Sequence, residues 1–122
     1  AARNSAAATG NSTHGYFGGG RTPITSLMDK VTYSSDTTAA VPGANLTAAR
    51  SYLAATGNSD SGYFGGGAPG PTALMDKVTY SSDTTAAVPS ANLSSVRGYL
   101  AASSARANGL SETIPSFPPA IV

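Results

Sequence analysis

The sequence predicts an all-β protein built from tandem copies of one unit. Residues 9–55 recur almost unchanged and without a gap as 56–102, a period of 47 in which 12 positions differ. A period in this range marks a repeat architecture, in which a single unit cannot bury its own core. Inside each copy, four short islands of aromatic, aliphatic and β-branched residues alternate with Gly, Pro, Asn and Asp turns, the pattern of an antiparallel sheet. Charged residues make up only 11% of the 122 residues, against about 25% in an average soluble protein. Such a composition would also suit a linker; the strict repeat and its apolar islands argue for folded structure instead.

The second copy shows the elements most plainly. Tyr52–Thr56 is the first island, and Gly57–Gly62 follows as a turn. Tyr63–Gly66 is short and apolar, and Ala68-Pro69-Gly70-Pro71 breaks the chain after it. Met75–Tyr80 alternates, with Met75, Lys77 and Thr79 on one side and Asp76, Val78 and Tyr80 on the other. Ser81–Thr84 is a tight turn, and Thr85–Val88 is ended by Pro89. The first copy reads the same way as Ala6–Thr9, Tyr16–Gly19, Met28–Tyr33 and Thr38–Val41. Ala44–Leu53 has fair helix propensity, but Pro42 before it and a strand after it leave little room. An extended connection between sheets is expected there.

Ala1-Ala2-Arg3 matches Ala48-Ala49-Arg50. The expected organisation is therefore the end of a preceding repeat at 1–8, repeat one at 9–55, repeat two at 56–102 and a Pro-rich tail at 103–122. Gly98–Ala102 is a surplus first-strand equivalent. In the tail, Pro115, Pro118 and Pro119 interleave with Ile114, Phe117 and Ile121; proline favours extended geometry, and a disordered tail and a docking arm are both open readings.

Composition also narrows function. The net charge of +1 gives no footprint for nucleic acid or an anionic membrane. No apolar run approaches the roughly 18 residues of a membrane span. The chain has no Cys, so thiol chemistry is absent. His14 is the only His and Glu112, in the tail, the only Glu. Asp29 and Asp76, and Asp36 and Asp83, recur as isolated acids; the latter pair suits turn residues that bond their own backbone. No paired carboxylates, triad or metal cluster assembles, and the glycine run lacks the Lys-Ser/Thr of a phosphate loop. Neither catalysis, a metal nor a cofactor is expected.

Each copy carries in order a glycine run, a Tyr, an Asp-Thr turn, a Pro, a Leu and an Arg. These are Gly18-Gly19-Gly20, Tyr33, Asp36-Thr37, Pro42, Leu46 and Arg50, then Gly65-Gly66-Gly67, Tyr80, Asp83-Thr84, Pro89, Leu93 and Arg97. This order resembles the kelch repeat, a four-stranded blade of a β-propeller, over about Arg3 to Ala102. Ala39-Ala40 and Ala86-Ala87 stand where kelch repeats usually carry Trp, which the chain lacks. The wording Ala-Thr-Gly-Asn-Ser…Gly-Tyr-Phe-Gly-Gly-Gly is similar to repeats in tail and fibre-type proteins of marine bacteriophages.

The resemblance implies structural roles. Gly18, Gly19, Gly65 and Gly66 would sit in crowded backbone, Tyr33 and Tyr80 between blades, and Arg50 and Arg97 on carbonyls or on Asp29 and Asp76 at a blade junction. A propeller has about 4–8 blades, and this chain holds two. The missing blades are expected upstream in the same polypeptide, in other copies of the chain, or in an open fibre. The function expected is a non-catalytic structural or adhesive role in a virion appendage, in a virion or extracellular setting, with other copies or other virion proteins as partners and a host-surface glycan as ligand. A cellular kelch-type interaction module and an open-ended fibre protein are the alternatives. A glycan-active enzyme would need acids from other blades. The copies differ mainly in turns, which puts candidate ligand-binding residues at His14, Arg21, Thr22 and Asp60; drift at unconstrained sites would leave the same pattern.

Overall fold

The computed structural model describes residues 2–104. It is all-β, with two four-stranded antiparallel sheets in tandem. Sheet one holds β1 (Ala7–Gly10), β2 (His14–Gly18), β3 (Met28–Thr32) and β4 (Thr37–Ala40), in that spatial order. Sheet two holds β5 (Ala54–Gly57), β6 (Ser61–Gly65), β7 (Met75–Thr79) and β8 (Thr84–Ala87). The sheets begin at Ala7 and Ala54, ahead of Thr9 and Thr56: a sequence period fixes the length of a unit and leaves its starting phase free.

Turn chemistry sets the hairpins. Asn11 Oδ1 accepts from the backbone N–H of Thr13 and His14, both at 2.9 Å. Asn58 does the same for Asp60 and Ser61 at 2.8 and 2.9 Å. Such Asx turns replace the backbone bonds that a sharp reversal loses. Asp36 and Asp83 sit at φ 54° and 52° in the β3–β4 and β7–β8 turns, a region Asp tolerates.

The connection from Ala44 to Leu53 contains no α-helix. Pro42–Ala44 forms a single 3-10 turn, and the remainder is irregular. Asn45 Oδ1 accepts from Met28 N at 3.0 Å and Asn92 Oδ1 from Met75 N at 3.1 Å, which ties each connection back to its sheet.

Register puts one row of side chains on each face. Thr9, Tyr16, Lys30 and Ala39 lie opposite one another across sheet one, and Ala8, Phe17, Asp29 and Ala40 form the neighbouring row. Alternation sends the two rows to opposite faces. In sheet two the matching rows are Thr56, Tyr63, Lys77, Ala86 and Ala55, Phe64, Asp76, Ala87. The Tyr16 face of sheet one packs against the Phe64 face of sheet two. The buried set shows it: Tyr16, Met28, Ala44 and Leu46 come from the first unit, Phe64, Val78 and Tyr80 from the second, and Leu53 from between. The core is therefore the junction. Phe64 is 0% exposed, whereas its counterpart Phe17 is 47% exposed; Tyr80 and Tyr33 compare as 6% and 47%.

The surplus first-strand equivalent, Gly98–Ala102, is not a strand. Among the described residues, no hairpin strand follows to pair with it. Tyr99 nonetheless keeps the positive φ of its counterparts Ser5 and Tyr52 (55°, 57° and 56°). Ser103 O and Ser104 Oγ hydrogen-bond Thr56 Oγ1, and Ser104 Oγ accepts from Gly57 N at 3.0 Å. The tail from Ala105 onward, with Ile114, Phe117 and Ile121, lies outside the described residues.

Candidate functional site at the unit junction

An arginine latch crosses the junction. Arg50 leaves the connection between the units and enters sheet two. Its Nη2 meets Asp76 Oδ2 at 2.7 Å, and its Nη1 donates to the carbonyls of Gly66 and Leu74 at 2.9 and 3.1 Å. Thr47 adds two more donors to Asp76, from its backbone N–H at 3.0 Å and its hydroxyl at 2.7 Å. Arg3 repeats the latch on sheet one, at 2.8 Å from Asp29. Each latch thus comes from the segment preceding the sheet it holds. Arg97, expected to share in these pairs, meets neither Asp29 nor Asp76. It is exposed, and among the described residues its side chain bonds Ser95 Oγ at 3.2 Å. A sheet that Arg97 could latch would have to follow it.

A second cluster joins the sheets by aromatic stacking and charge. Tyr16 stacks on Tyr80 with ring centroids 4.8 Å apart. The Tyr16 hydroxyl donates to Asp83 Oδ1 at 2.5 Å, and Lys30 Nζ meets Asp83 Oδ2 at 2.9 Å. Lys30 also lies over the Tyr16 ring, 5.7 Å from its centroid. Burial pushes the Tyr16 phenol well above its ordinary pKa, helped by its hydrogen bond to the Asp83 carboxylate. Burial also pushes Tyr80 up. For Asp83, burial pushes upward, but the Tyr16 and Lys30 hydrogen bonds and the Lys30 charge outweigh it and leave the pKa lowered. Asp83 was expected to bond its own turn; its carboxylate instead reaches across the junction.

Beside this cluster lies a cleft of about 440 Å³. Asn11, Thr13, His14 and Lys30 line it from the first unit, and Ser59 and Asp60 are among the residues from the second. Two of the four predicted ligand-binding residues, His14 and Asp60, are thereby brought together. The hydroxyl, amide, imidazole, ammonium and carboxylate groups can donate and accept hydrogen bonds toward a polar ligand. His14 Nδ1 is 2.8 Å from Thr13 Oγ1, and Asn11 Nδ2 donates to Ser59 O at 3.2 Å across the cleft.

Arg21 and Thr22 do not line this cleft. Arg21 Nη1 donates to the Tyr52 hydroxyl at 2.7 Å and lies 5.5 Å from that ring's centroid. Tyr52 in turn stacks on Tyr99 at 4.0 Å. Hydrogen bonds from Ser5 and Arg21 lower the Tyr52 pKa. Thr22 adopts φ 84°, an outlier for a β-branched residue. The second copy has Ala68 and Pro69 at these two positions.

The glycines divide into two kinds. A Cβ on Gly18 or Gly65 would meet the end of a methionine side chain at 2.7 Å, Met28 or Met75. A Cβ on Gly19 or Gly66 would meet the backbone oxygen of Arg50 or Arg97, at 2.6 and 2.8 Å, and both residues have φ above 70°. Tyr80 stacks on Tyr16 of the first unit, and Tyr33 is half-exposed. Sequence reasoning left Arg3, Lys30 and Asp83 without their roles here. The signal available was the unbroken copying of Leu27–Pro42 as Leu74–Pro89, which carries Lys30 as Lys77 and Asp36 as Asp83.

Among the described residues, no group of three or more His, Cys, Asp or Glu could hold a metal ion, and no helix is long and apolar enough to cross a membrane. The fold and junction define a tandem-repeat all-β protein whose units are joined by buried side chains. No family model matches the chain, and no curated protein does.

Proposed function

We propose that this chain is a non-catalytic structural and adhesive protein, a pair of kelch-like blades within a larger assembly. A phage tail fibre or another virion or extracellular appendage is the setting that the composition and repeat wording suit. Its ligand is a surface glycan, seated in the junction cleft.

One observation carries the reading. The core lies between the units rather than within either, so the chain is organised for stacking. That stacking creates a polar cleft of sugar size lined by Asn11, Thr13, His14, Lys30, Ser59 and Asp60. Saturation-transfer NMR against a panel of bacterial surface saccharides tests the reading. Binding is expected, and Asp60→Ala should weaken it without changing the melting temperature. Absence of binding across the panel, or cleavage of a bound saccharide, overturns it.

A further inference from the structure

We infer that a second copy of this chain docks its first sheet onto the second sheet of the first copy, making a new junction and completing a second cleft. The inference rests on the structural half of the reading above and is independent of the sugar.

The two outward faces of the chain are the two halves of the junction already formed between its sheets. On sheet two, Tyr63 and Lys77 are the counterparts of Tyr16 and Lys30. Lys77 Nζ already lies 5.9 Å from the Tyr63 centroid, much as Lys30 lies over Tyr16. On sheet one, Tyr33 and Asp36 are the counterparts of Tyr80 and Asp83. Asp36 is exposed and already has the backbone conformation of Asp83, φ 54° against 52°. Docking would stack Tyr63 on Tyr33 and pair Lys77 with Asp36. Charge and shape complementarity are thus inherited from an interface the protein already makes.

The groove on sheet one gives independent support. A groove of about 510 Å³ is lined by Ser12, Thr13, His14, Thr32, Tyr33 and Ser34. Five of these, all but His14, are the counterparts of Ser59, Asp60, Thr79, Tyr80 and Ser81, the second unit's whole contribution to the closed cleft. The groove is half of a cleft, and Asn58, Asp60, Ser61 and Lys77 of a docked copy supply the other half.

One segment must yield. Residues 97–104 of one copy and 3–10 of the next are the same part of the repeat and claim the same seat. In 3–10, β1 is paired with β2 and Arg3 holds Asp29. Ala101–Ser104 has no ladder and is held through Ser103 and Ser104 on Thr56 and Gly57, while Arg97 and Tyr99 bond the backbone of Gly67, Thr72 and Tyr52, bonds that the backbone of Arg3 and Ser5 of the incoming copy can make in their place. The incoming 3–10 therefore takes the seat and 97–104 moves aside. Such a head-to-tail contact forms a ring if its rotation closes and a filament if it does not.

Sedimentation velocity on the full chain tests this with Lys77→Asp and Asp36→Lys, with circular dichroism as the check on folding. The wild type should show a mass that rises with concentration. Each variant alone faces like charges and should associate more weakly by on the order of tenfold or more. An equimolar mixture restores opposite charges at every contact and should regain wild-type association. A wild type that stays monomeric, as it would if the chain's own residues after 104 cover the sheet-two face, overturns the inference. So do variants that associate as the wild type does, or a mixture that fails to recover. A monomeric wild type that still binds saccharide leaves the adhesive reading standing.

Discussion

Replacing Arg50 by alanine tests whether the junction carries the stability of the chain. Asp76 is 0% exposed and Arg50 2% exposed. Removing the guanidinium leaves the Asp76 carboxylate with only the two Thr47 donors, and it strips a donor from the carbonyls of Gly66 and Leu74. Breaking a buried pair from one side costs about 3–5 kcal/mol. Arg50 Nε is buried without a partner, so the intact latch is imperfect and the lower end, about 3 kcal/mol, is expected. That is a large share of the about 5–15 kcal/mol that holds a typical domain together. The urea midpoint, followed by circular dichroism, should fall by roughly 1–3 M.

The repeat supplies its own controls. Arg97 is the same residue one period later and is exposed, so Arg97→Ala should change stability by no more than about 0.5 kcal/mol. Arg3, whose side chain is 9% exposed against 29% for Asp29, should fall between the two. Removing both charges together, as Arg50→Met with Asp76→Leu, should recover much of the loss, because no buried charge is left unpaired. If Arg50→Ala and Arg97→Ala cost the same within about 0.5 kcal/mol, the junction is not where the stability lies and the reasoning fails.

Two further outcomes follow from the same geometry. Gly19→Ala should cost about 2–4 kcal/mol, since it combines a positive φ with a collision against the Arg50 backbone oxygen; Gly18→Ala, which meets only the flexible end of Met28 and the Phe64 ring edge, should cost about 1 kcal/mol, and chemical denaturation giving the reverse order refutes the assignment. The junction should also limit stability at both ends of the pH scale. Asp83 has a native pKa below its ordinary 3.8, so its contribution is complete above that value and is lost as pH falls through the native one. Tyr16 has a raised pKa, so its contribution is complete below its ordinary 10.0 and is lost as pH rises above that. Melting temperature against pH should show both limbs, and Asp83→Asn should shrink the acid one; an acid limb unchanged in Asp83→Asn refutes the cross-junction role.

The fold was legible because the repeat wrote it twice. Strands expected at Met28–Tyr33 and Met75–Tyr80 lie within one residue of β3 and β7, and their alternation set the correct faces. The 3-10 turns after Pro42 and Pro89 were not legible, since one turn is too short to leave a period. The site was harder. The Arg50–Asp76 pair could be guessed from the copied Arg and Asp. Its direction could not, because period alone does not say whether an arginine reaches its own sheet or the next. That ambiguity misplaced Arg97. Gly18 and Gly19 look alike in sequence, and only the backbone φ and the neighbour, a flexible methionine end or a fixed carbonyl, separate them. His14 and Asp60, 46 positions apart, share a cleft because two sheets stack, which no local pattern records.

Two units share one junction, and the outer faces display the halves of another. In an open row each added unit contributes one more latch, one more tyrosine stack and one more cleft, so stability and binding capacity grow together. The clefts would not be identical. The present one joins His14 and Lys30 to Asp60. At a contact between copies, Ser61 stands for His14, Lys77 for Lys30, Asp60 for Thr13 and Thr13 for Asp60. A lysine and a carboxylate are both kept, but the carboxylate moves to the other side of the cleft, and on that side a serine hydroxyl takes the place of the imidazole. The copies differ mainly in turns and at the first residue of β2 and β6, and along an array that alternates two clefts in which a lysine and a carboxylate stand in different arrangements. Divergence at 13–14 and 60–61 therefore changes what is recognised without touching the Arg–Asp and Tyr–Tyr contacts that hold the units together.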